Sequence, residues 1–483
     1  MAGIGFRLQK LLSGESYTDL VKAYLYSAVI STGPMLMVIL ALGAIKLAVT
    51  SWLSVEDGTF FMGMIIYTYA FSMIGVAPFL YIITRYLADR YYLKQMDAFT
   101  PTFISSIEIV FLLQIVVAAP FIWGLPLVTS AKWVLLTLYL FVSGIWIAMI
   151  FLSAAQNYLW IVGAYCFGAL ASMGCGYLLG RKNAMEGFLT GYCIGQGLTF
   201  FILTVRTFLE FGYKKLHDFG FLFYAKRYPY LVLVGIFYYI GIWADKFCFW
   251  FSPKGQSIVG KLFVFMDYDT PMFLAFLSIV PSMAFFLIRM ETSFVRYYQA
   301  YYQSIRDRKG LSVIDARKNA IVDNLTDHYQ KFVVFQGILS GLIIIFIYQI
   351  AEAFYLNPLQ IGIFRVGILG AFLQMGFLMI LNILFYFDFQ REAFFLTLLF
   401  FLCNAIFTII TINIGLPAYG FGFTGACFTV LLVGFLILDN KLKNLAYWTF
   451  MRQPILMPKF KLETEWAEAG KKVLANHNNN HLR

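Results

Sequence analysis

Charged residues are scarce in this sequence. Asp, Glu, Lys and Arg together make up 13% of its 483 residues, whereas hydrophobic residues make up 61%. A soluble globular chain carries about 25% charged residues, and part of its surface must face water. The composition therefore excludes a soluble globular protein and indicates a chain whose main solvent is lipid.

The motifs of common catalytic and metal sites are also missing. The sequence has no Walker A, HExxH or GxSxG motif, so neither ATP hydrolysis nor hydrolase chemistry is expected. Its six cysteines lie in apolar stretches without CxxC or Cys/His spacing, which is typical of buried side chains. Asp267-Tyr268-Asp269 is a DxD motif, but carboxylates at a helix start explain it better than a metal site does. We expect a non-enzymatic protein without metal or cofactor.

Long apolar stretches are what the sequence has in abundance. A membrane-spanning helix needs about 20 mostly apolar residues. Because lipid offers no water to backbone groups, and these stretches are too long for barrel strands, they predict helices. The prediction is an all-α polytopic membrane protein with about twelve transmembrane helices. They lie near 24–49, 60–83, 103–123, 133–153, 158–180, 186–205, 229–251, 271–289, 332–355, 361–386, 393–413 and 418–438.

Lys and Arg lie mostly in every second gap between these stretches. If the N-terminus is cytoplasmic, about 28 of the 36 basic residues fall inside and about five fall outside, which is the bias that orients membrane helices. The sequence thus predicts a cytoplasmic (inner) membrane protein with both termini in the cytoplasm. It argues against nucleic acid as a partner, because the basic residues do not gather on one soluble face.

A basic gap divides the stretches into two sets of six. Many transporters consist of two such halves with the substrate path between them, so we predict two six-helix lobes. The first lobe is 1–205, and a cytoplasmic linker follows at 206–228. The second lobe is 229–438 with a cytoplasmic amphipathic loop at 291–331, and 439–483 is a basic cytoplasmic tail.

The loop at 291–331 has an aromatic stripe. Its members recur at steps of three and four residues, which places them on one face of a helix that ends at Gly310. A second helix is predicted at 313–328. The stripe indicates either an interfacial helix with tyrosines at headgroup depth or a docking site for a cytosolic partner. It consists of Phe294, Tyr297, Tyr298, Tyr301, Tyr302 and Ile305.

Two charged residues lie deep inside an apolar stretch. Asp245 and Lys246 occur in YYIGIWADKFCFWF, where a charge costs about 2.5–3.5 kcal/mol or more. Neighbours in sequence point about 100° apart on a helix, so we do not expect the two to pair with each other. Each then needs its own polar partner or a wet cavity. They indicate either structural ion pairs between helices or a role in a transport path or in ion coupling.

Other candidates for a transport path are polar, small or aromatic. Ser31, Gly33 and Pro34 lie together in the first stretch, and a proline that breaks a helix often marks a transporter cavity. Tyr238, Tyr239 and Trp243 offer apolar ring faces with one polar group each, a combination that suits a sugar.

Four segments resemble one known family. They are the opening MAGIGFRLQKLL, then AYLYSAVISTGP, YIGIWADKFCFWFSP and FLAFLSIVPSMAFFLIRMETSFVRYYQAYY. In this order they resemble the PelG family, the exopolysaccharide exporters of the Pel biofilm system, which is similar to the multidrug, oligosaccharidyl-lipid and polysaccharide (MOP) flippase superfamily. The resemblance implies two six-helix lobes around a central cavity. Asp245 and Lys246 match one of its motifs, and Arg289 and Glu291 match another.

The resemblance also implies a task and partners. The task is the export of an N-acetylgalactosamine-rich polysaccharide, with a cytosolic glycosyltransferase and membrane proteins that respond to cyclic di-GMP as partners. On this expectation helices 1, 2, 7 and 8 line the route, and the loop and the basic tail recruit the glycosyltransferase. Two alternatives stay open: an ion-coupled flippase or exporter of lipid-linked sugars or small amphiphiles, and a non-transporting scaffold of a synthase. The expected docking residues are Arg289, Glu291, Tyr297, Tyr301, Arg306 and Arg308.

Overall fold

Helices make up almost all of the fold. The computed structural model describes residues 17–155, 158–213 and 215–451. In this part of the chain, 11 helices are long and apolar enough to cross a membrane. One of them has 54 residues and is interrupted by non-helical backbone at Asn183 and Ala184, so it has room for two spans. The prediction of an all-α polytopic membrane protein with about twelve spans is confirmed.

The first half of the chain forms five long helices. Ser54 begins the second of them by accepting a hydrogen bond from the Asp57 N–H, while Pro34 and Pro78 lie inside the first and second. A short 3-10 turn at Met96–Ala98 precedes the third. The helices are α1 Tyr17–Trp52, α2 Val55–Tyr92, α3 Phe99–Trp123, α4 Thr129–Ala154 and α5 Tyr158–Phe211.

The second half has shorter helices and one small sheet. A five-residue π-helical turn at Met290–Phe294 joins two helices, and a 3-10 turn lies at Leu416–Ala418. Asn357 and Gln360 form a capping box at the start of α13. The elements are α6 Gly220–Arg227, α7 Pro229–Trp250, β1 Gln256–Val259, β2 Leu262–Val264, α8 Met266–Leu277, α9 Val280–Arg289, α10 Val295–Arg306, α11 Leu311–Ile345, α12 Ile347–Ala353, α13 Pro358–Tyr386, α14 Gln390–Ile414, α15 Phe421–Lys443 and α16 Leu445–Met451.

The sequence did not predict the β-hairpin between α7 and α8. Its two short strands are antiparallel, and the pair Val259↔Leu262 flanks the turn. Gly260 in that turn has φ +53° and lies against Pro126, so a side chain there would be strained and crowded. Strand signals over three or four residues are too short to recognise inside a largely apolar chain.

Two predicted boundaries differ from the structure. The second cytoplasmic helix and the ninth span are one continuous helix, α11, because i,i+4 pairs such as Lys331 with Asp327 (2.8 Å) continue through the junction. The predicted linker begins with helix, since α5 extends to Phe211 and Arg206 pairs with Glu210 over 2.7 Å. Pro281 lies at the break between α8 and α9, in the first turn of α9.

The helices pack as two groups that meet along few surfaces. In the first group α4 packs on α2, α3 and α5, and in the second α14 packs on α7 and α15 while α13 packs on α8 and α15. The groups meet where α2 packs on α7 and α1 packs on α9. We call them the first and second lobes. The hairpin and α10 lie at opposite ends of the second lobe, named the hairpin end and the α10 end.

At one crossing the lobes approach each other closely enough for their backbones to meet. Gly235 in α7 lies against Ala77 in α2, just before the proline at 78. A Cβ at position 235 would lie 2.2 Å from the Ala77 carbonyl oxygen, a distance that no side chain tolerates. Glycine therefore permits the contact between α2 and α7 that sets the spacing of the two lobes.

Candidate functional site

Asp245 lies inside the second lobe with three hydrogen-bond donors around it. Its side chain is fully buried. The Tyr268 hydroxyl donates to Oδ2 over 2.8 Å, and the Asn404 side-chain N–H donates to Oδ1 over 3.3 Å. The Lys246 ammonium is the third donor, 3.1 Å from Oδ2. Groups from α7, α8 and α14 therefore fix this carboxylate.

Lys246 pairs with its neighbour in sequence, so the prediction that the two need separate partners is wrong. A lysine stem of four methylene groups is long enough to fold its ammonium back onto the adjacent carboxylate. The rings of Trp243, Phe276 and Phe423 surround Nζ, with centroids 5.3 to 5.8 Å away. Aromatic faces stabilise a cation that is removed from water, so the ion pair is satisfied inside one lobe.

A second carboxylate, Asp269, is buried at the start of α8. Only 8% of the residue is exposed. Its Oδ2 accepts a hydrogen bond from the Trp250 indole N–H over 2.7 Å, while Oδ1 has no partner among the described residues. Asp267 accepts from Asn357 and Gln360, each over 3.0 Å. The DxD segment thus begins a helix, as predicted, and its two carboxylates have different surroundings.

Aromatic rings join the lobes at the hairpin end. Tyr67 in α2 stacks on Trp250 in α7, with centroids 4.8 Å apart and planes at 16°. The Tyr67 hydroxyl donates to the Phe263 carbonyl over 2.8 Å and accepts from the Phe263 N–H over 3.1 Å. Phe71 stacks on Phe247 with centroids 5.4 Å apart. We call Tyr67, Trp250 and Phe263 the outer clasp, because they hold α2 against α7 and the hairpin.

An ion pair joins the lobes at the α10 end. Arg85 in α2 donates to Asp388, between α13 and α14, over 3.3 Å. The same guanidinium lies 3.6 Å from Asp89 and 5.2 Å from the Tyr228 ring centroid. We call Arg85 and Asp388 the inner pair. This pair was not predicted from the sequence, where the available signal was a carboxylate between two apolar stretches.

The aromatic residues predicted to line a route do not share one environment. Tyr238 is buried in the second lobe, and its ring centroid lies 6.5 Å from that of Phe400. Tyr239 and Trp243 are half-buried. Trp243 reaches Lys246, so it belongs to the surroundings of the buried ion pair.

The predicted residues of helix 1 lie apart from the buried charges. Gly33 and Pro34 are buried, and a Cβ at Gly33 would lie 3.4 Å from Val162 in α5, so the glycine faces the first lobe's own interior. The Ser31 side chain is outside the described part of the structure. Ser27, one turn earlier, donates to the Ala284 carbonyl in α9 over 3.1 Å. This serine, which was not predicted as a site residue, forms one of the contacts between the lobes.

The aromatic stripe on α10 packs against the second lobe. Phe294 and Tyr301 are fully buried, and the Tyr298 hydroxyl donates to the Tyr386 carbonyl over 3.1 Å. Burial raises the pKa of Tyr301, which keeps its phenol neutral. The second lobe therefore covers Phe294 and Tyr301, while the other members of the stripe remain half-buried.

The other predicted docking residues have mixed exposure. Arg306 and Arg308 are exposed, and Arg289 and Tyr297 are half-buried. The Arg289 guanidinium lies 5.4 Å from the Phe285 ring centroid. Glu291 is in the π-helical turn, and its side chain is outside the described part. Of the predicted docking tail, residues from 452 onward are likewise outside it.

The structure offers little that could hold a metal ion. In residues 17–155, 158–213 and 215–451, no three His, Cys, Asp or Glu side chains gather at one place. The six cysteines are free, and Cys193 and Cys427 are buried. The buried charges therefore have to be understood through their own hydrogen bonds and ion pairs.

A family model matches nearly the whole chain. It is that of PelG, a family of exopolysaccharide exporters (EPS-E), and it matches residues 1–450. No curated protein sequence gives a significant match.

Solved structures of transporters share the fold. An outward-facing multidrug resistance transporter of the MATE family and MOP superfamily is similar with TM-score 0.59 and 15% identity, over 91% of this chain and 98% of its own. An inward-facing MATE transporter gives TM-score 0.60 and 11% identity, over 87% and 99%. A MOP superfamily transporter from Pyrococcus furiosus gives 0.57 and 14%, over 90% and 98%. At these identities the likeness shows the fold alone, which is that of MATE and MOP transporters.

Proposed function

The chain belongs to the PelG family of exopolysaccharide exporters, and from this premise we propose that it moves a growing exopolysaccharide across the cytoplasmic membrane. The single observation that carries the proposal is the family match, which covers both lobes. The polymer is Pel-like and rich in N-acetylgalactosamine. The chain itself is not an enzyme, and a cytosolic glycosyltransferase supplies the polymer.

The route proposed for the polymer lies between the lobes, beside α1, α2, α7 and the α8–α9 pair. Contacts between the lobes include the outer clasp, the inner pair, the Gly235 crossing and the packing of α1 on α9. Separation of the lobes at one end would expose ring faces such as Phe71 and Phe247. Ring faces suit the C–H faces of sugars, and tyrosine hydroxyls suit their polar groups.

The α10 end faces the cytoplasm in this proposal, with both termini on the same side. The support is the positive charge at that end, which follows the orientation rule for membrane helices. Arg296, Arg306, Arg308 and Lys309 are exposed on and just after α10. With the aromatic stripe packed inward, these cations rather than the tyrosines form the docking surface for the glycosyltransferase. Membrane proteins that respond to cyclic di-GMP complete the proposed assembly.

Secretion by single-residue variants tests the importance of the buried charges. We expect Asp245→Ala and Lys246→Ala, each alone, to abolish secreted polymer in cells that have the complete export system. Each leaves one buried charge without its partner, and charges buried within membrane spans commonly serve transport. The amount of variant protein in the membrane is measured in parallel. Normal secretion by both variants would remove the pair from the mechanism.

Reconstitution separates export from the two alternatives. Vesicles that contain only this chain, with the glycosyltransferase and its sugar donor outside, should accumulate polymer inside. If polymer stays outside although the two proteins bind each other, the chain is a scaffold of a synthase. If lipid-linked sugars or small amphiphiles cross the membrane instead, it is an ion-coupled flippase or exporter of such molecules.

A further inference from the structure

We propose that Asp269 is a proton-binding site, and that its protonation opens the outer clasp between the two lobes. The inference goes beyond the proposed export function, which assigns no role to this residue. It rests on three features of the described structure: the charge inside the second lobe, the free oxygen of Asp269, and the bond from Trp250.

The buried charges of this region do not balance. Asp245 and Asp269 are two carboxylates, and among the described residues Lys246 is the one ammonium that acts on both. The Asp245 carboxylate is saturated, since Lys246, Tyr268 and Asn404 all donate to it. Asp269 therefore holds the unbalanced negative charge.

The free oxygen of Asp269 is suited to a proton. Its residue is only 8% exposed, and Oδ1 accepts no hydrogen bond in the described part of the chain. A buried polar atom without a partner is costly, and a proton on it removes the charge and makes it a donor. A metal cation fits poorly, because it needs several oxygen ligands and no three His, Cys, Asp or Glu side chains gather here among the described residues.

Other groups that face this carboxylate are accounted for. On α7 they are the Asp245 and Lys246 pair, and on α8 itself the Tyr268 hydroxyl is bonded to Asp245. From α2 the Tyr67 hydroxyl faces the region but is bonded to the hairpin backbone. From α15 the thiol of Cys427 is buried beside Asp245. None of these has a free carboxylate oxygen, so Asp269 is the group that can gain a proton with the least rearrangement.

Trp250 connects Asp269 to the lobe interface. Its indole N–H donates to Asp269, and its ring stacks on Tyr67 of the first lobe. A hydrogen bond to an ionised carboxylate is about twice as strong as one to a neutral group. Protonation therefore weakens the bond that orients Trp250, and with it the stack that holds α2 against α7. The expected sequence is proton uptake, release of Trp250 and separation of the lobes at the hairpin end.

Distance measurements across the hairpin end test the inference. Spin labels at Glu56 and Lys254, both exposed and one in each lobe, are introduced into the full chain in lipid nanodiscs. The six native cysteines are replaced by alanine. In the otherwise unmodified protein we expect a longer-distance population that grows as the pH falls. In Asp269→Asn, a neutral isostere of the protonated acid, that population should be present at every pH.

Two further variants test whether the pH response is specific to Asp269 and whether it depends on the Trp250 N–H. Asp267→Asn removes a neighbouring carboxylate of the same helix turn, bonded only to Asn357 and Gln360 among the described residues, and should keep the pH response. Trp250→Phe keeps the ring stack but removes the N–H, and should lose the response. An Asp269→Asn protein that responds to pH as the unmodified protein does would overturn the proposal. So would distances that follow sodium concentration at constant pH.

Infrared spectroscopy tests the protonation of Asp269 directly, without relying on a conformational change. Infrared difference spectra between high and low pH should contain the carbonyl band of a protonated carboxyl group, and Asp269→Asn should lack it. An identical band in both proteins would overturn the assignment. Neither experiment uses polymer, so failure of this inference and failure of the proposed export function are separate outcomes.

Discussion

The two lobes have similar helical scaffolds but bury different kinds of polar groups. In the first lobe the buried network is neutral: Gln114 donates to the Ser72 carbonyl and accepts from Tyr139, and the Tyr69 and Tyr192 hydroxyls are 2.7 Å apart. The second lobe buries charged groups in addition to neutral ones such as Gln336 and Asn404. Asp245, Lys246 and Asp269 are buried, and the buried Lys441 pairs with the half-buried Glu392 over 2.5 Å.

This difference separates a rigid lobe from a responsive one. Neutral hydroxyl and amide groups do not change charge near neutral pH, so the first lobe keeps one hydrogen-bond pattern. Buried carboxylates and amines can gain or lose protons, and the change alters their hydrogen bonds. We infer that the second lobe contains the switch and that the first lobe is the body against which it moves.

The largest expected effect comes from unpairing a charge in the second lobe. Lys246→Met leaves the fully buried Asp245 without its ammonium, and loss of one partner of a buried ion pair costs about 3–5 kcal/mol. We expect the thermal midpoint of the purified protein to fall strongly. The measurement is thermal unfolding in detergent, followed by fluorescence.

A double variant tests whether Lys246→Met loses stability because the Asp245 charge has no partner. Asp245→Asn combined with Lys246→Met has no charge at positions 245 and 246, and the introduced amide oxygen can still accept from Tyr268. Most of the lost stability should return, because replacement of both partners is often nearly neutral. A double variant less stable than Lys246→Met would contradict the ionic explanation.

The second-largest effect is expected from a substitution at the contact between the lobes. Gly235→Val places methyl groups where even a Cβ would lie 2.2 Å from the Ala77 carbonyl oxygen. Overpacking typically costs about 1–3 kcal/mol, and here the obstacle is backbone. Disulfide trapping between cysteines placed in α2 and α7 should slow sharply. The control is Gly337→Val in α11, where nothing lies within 4 Å, and unchanged trapping in Gly235→Val would contradict the proposed crossing.

The neutral network of the first lobe should tolerate a similar change better than the ion pair does. Gln114→Leu removes the amide from Ser72 and Tyr139, and a buried group left without its partner costs about 1–3 kcal/mol. Thermal unfolding measures the loss, and the double variant with Tyr139→Phe should recover part of it. A loss as large as that of Lys246→Met would remove the contrast between the lobes.

Most of the fold was predictable because lipid imposes it. Spans of about 20 apolar residues must be helical, and these spans were recognised throughout, including both parts of α5. The hairpin at 256–264 was missed because its signal is short. The continuity of α11 was missed because a polar helix and an apolar helix look like two elements in sequence although the backbone does not change.

The candidate site was predictable only as single residues. A buried charge is visible in sequence, so Asp245 and Lys246 were found. The hydrogen-bond partners of Asp245 were not found, because Tyr268 and Asn404 are 23 and 159 residues away from it in sequence. Asn404 left a weak signal, being an amide in the middle of an apolar span. The aromatic stripe on α10 was found as a pattern, but a pattern does not tell whether lipid, a partner or the chain itself covers it.

The smallest stability effect is expected at the inner pair, where the lobes meet through charges that water reaches. Arg85 and Asp388 are 35% and 45% exposed, and such pairs are worth about 0–1 kcal/mol. Asp388→Asn should therefore leave the thermal midpoint almost unchanged.

Because the pair joins the lobes, however, even a small loss shifts the equilibrium between closed and open lobes: 1 kcal/mol is about a fivefold change in population. We expect spin labels across the α10 end to show more open protein in Asp388→Asn, and the same shift in the unmodified protein at high salt. The exchanged variant Arg85→Asp with Asp388→Arg should close that end again, whereas an unchanged distance distribution in Asp388→Asn would show that the aromatic contact of Tyr81 with Phe385 holds this end by itself.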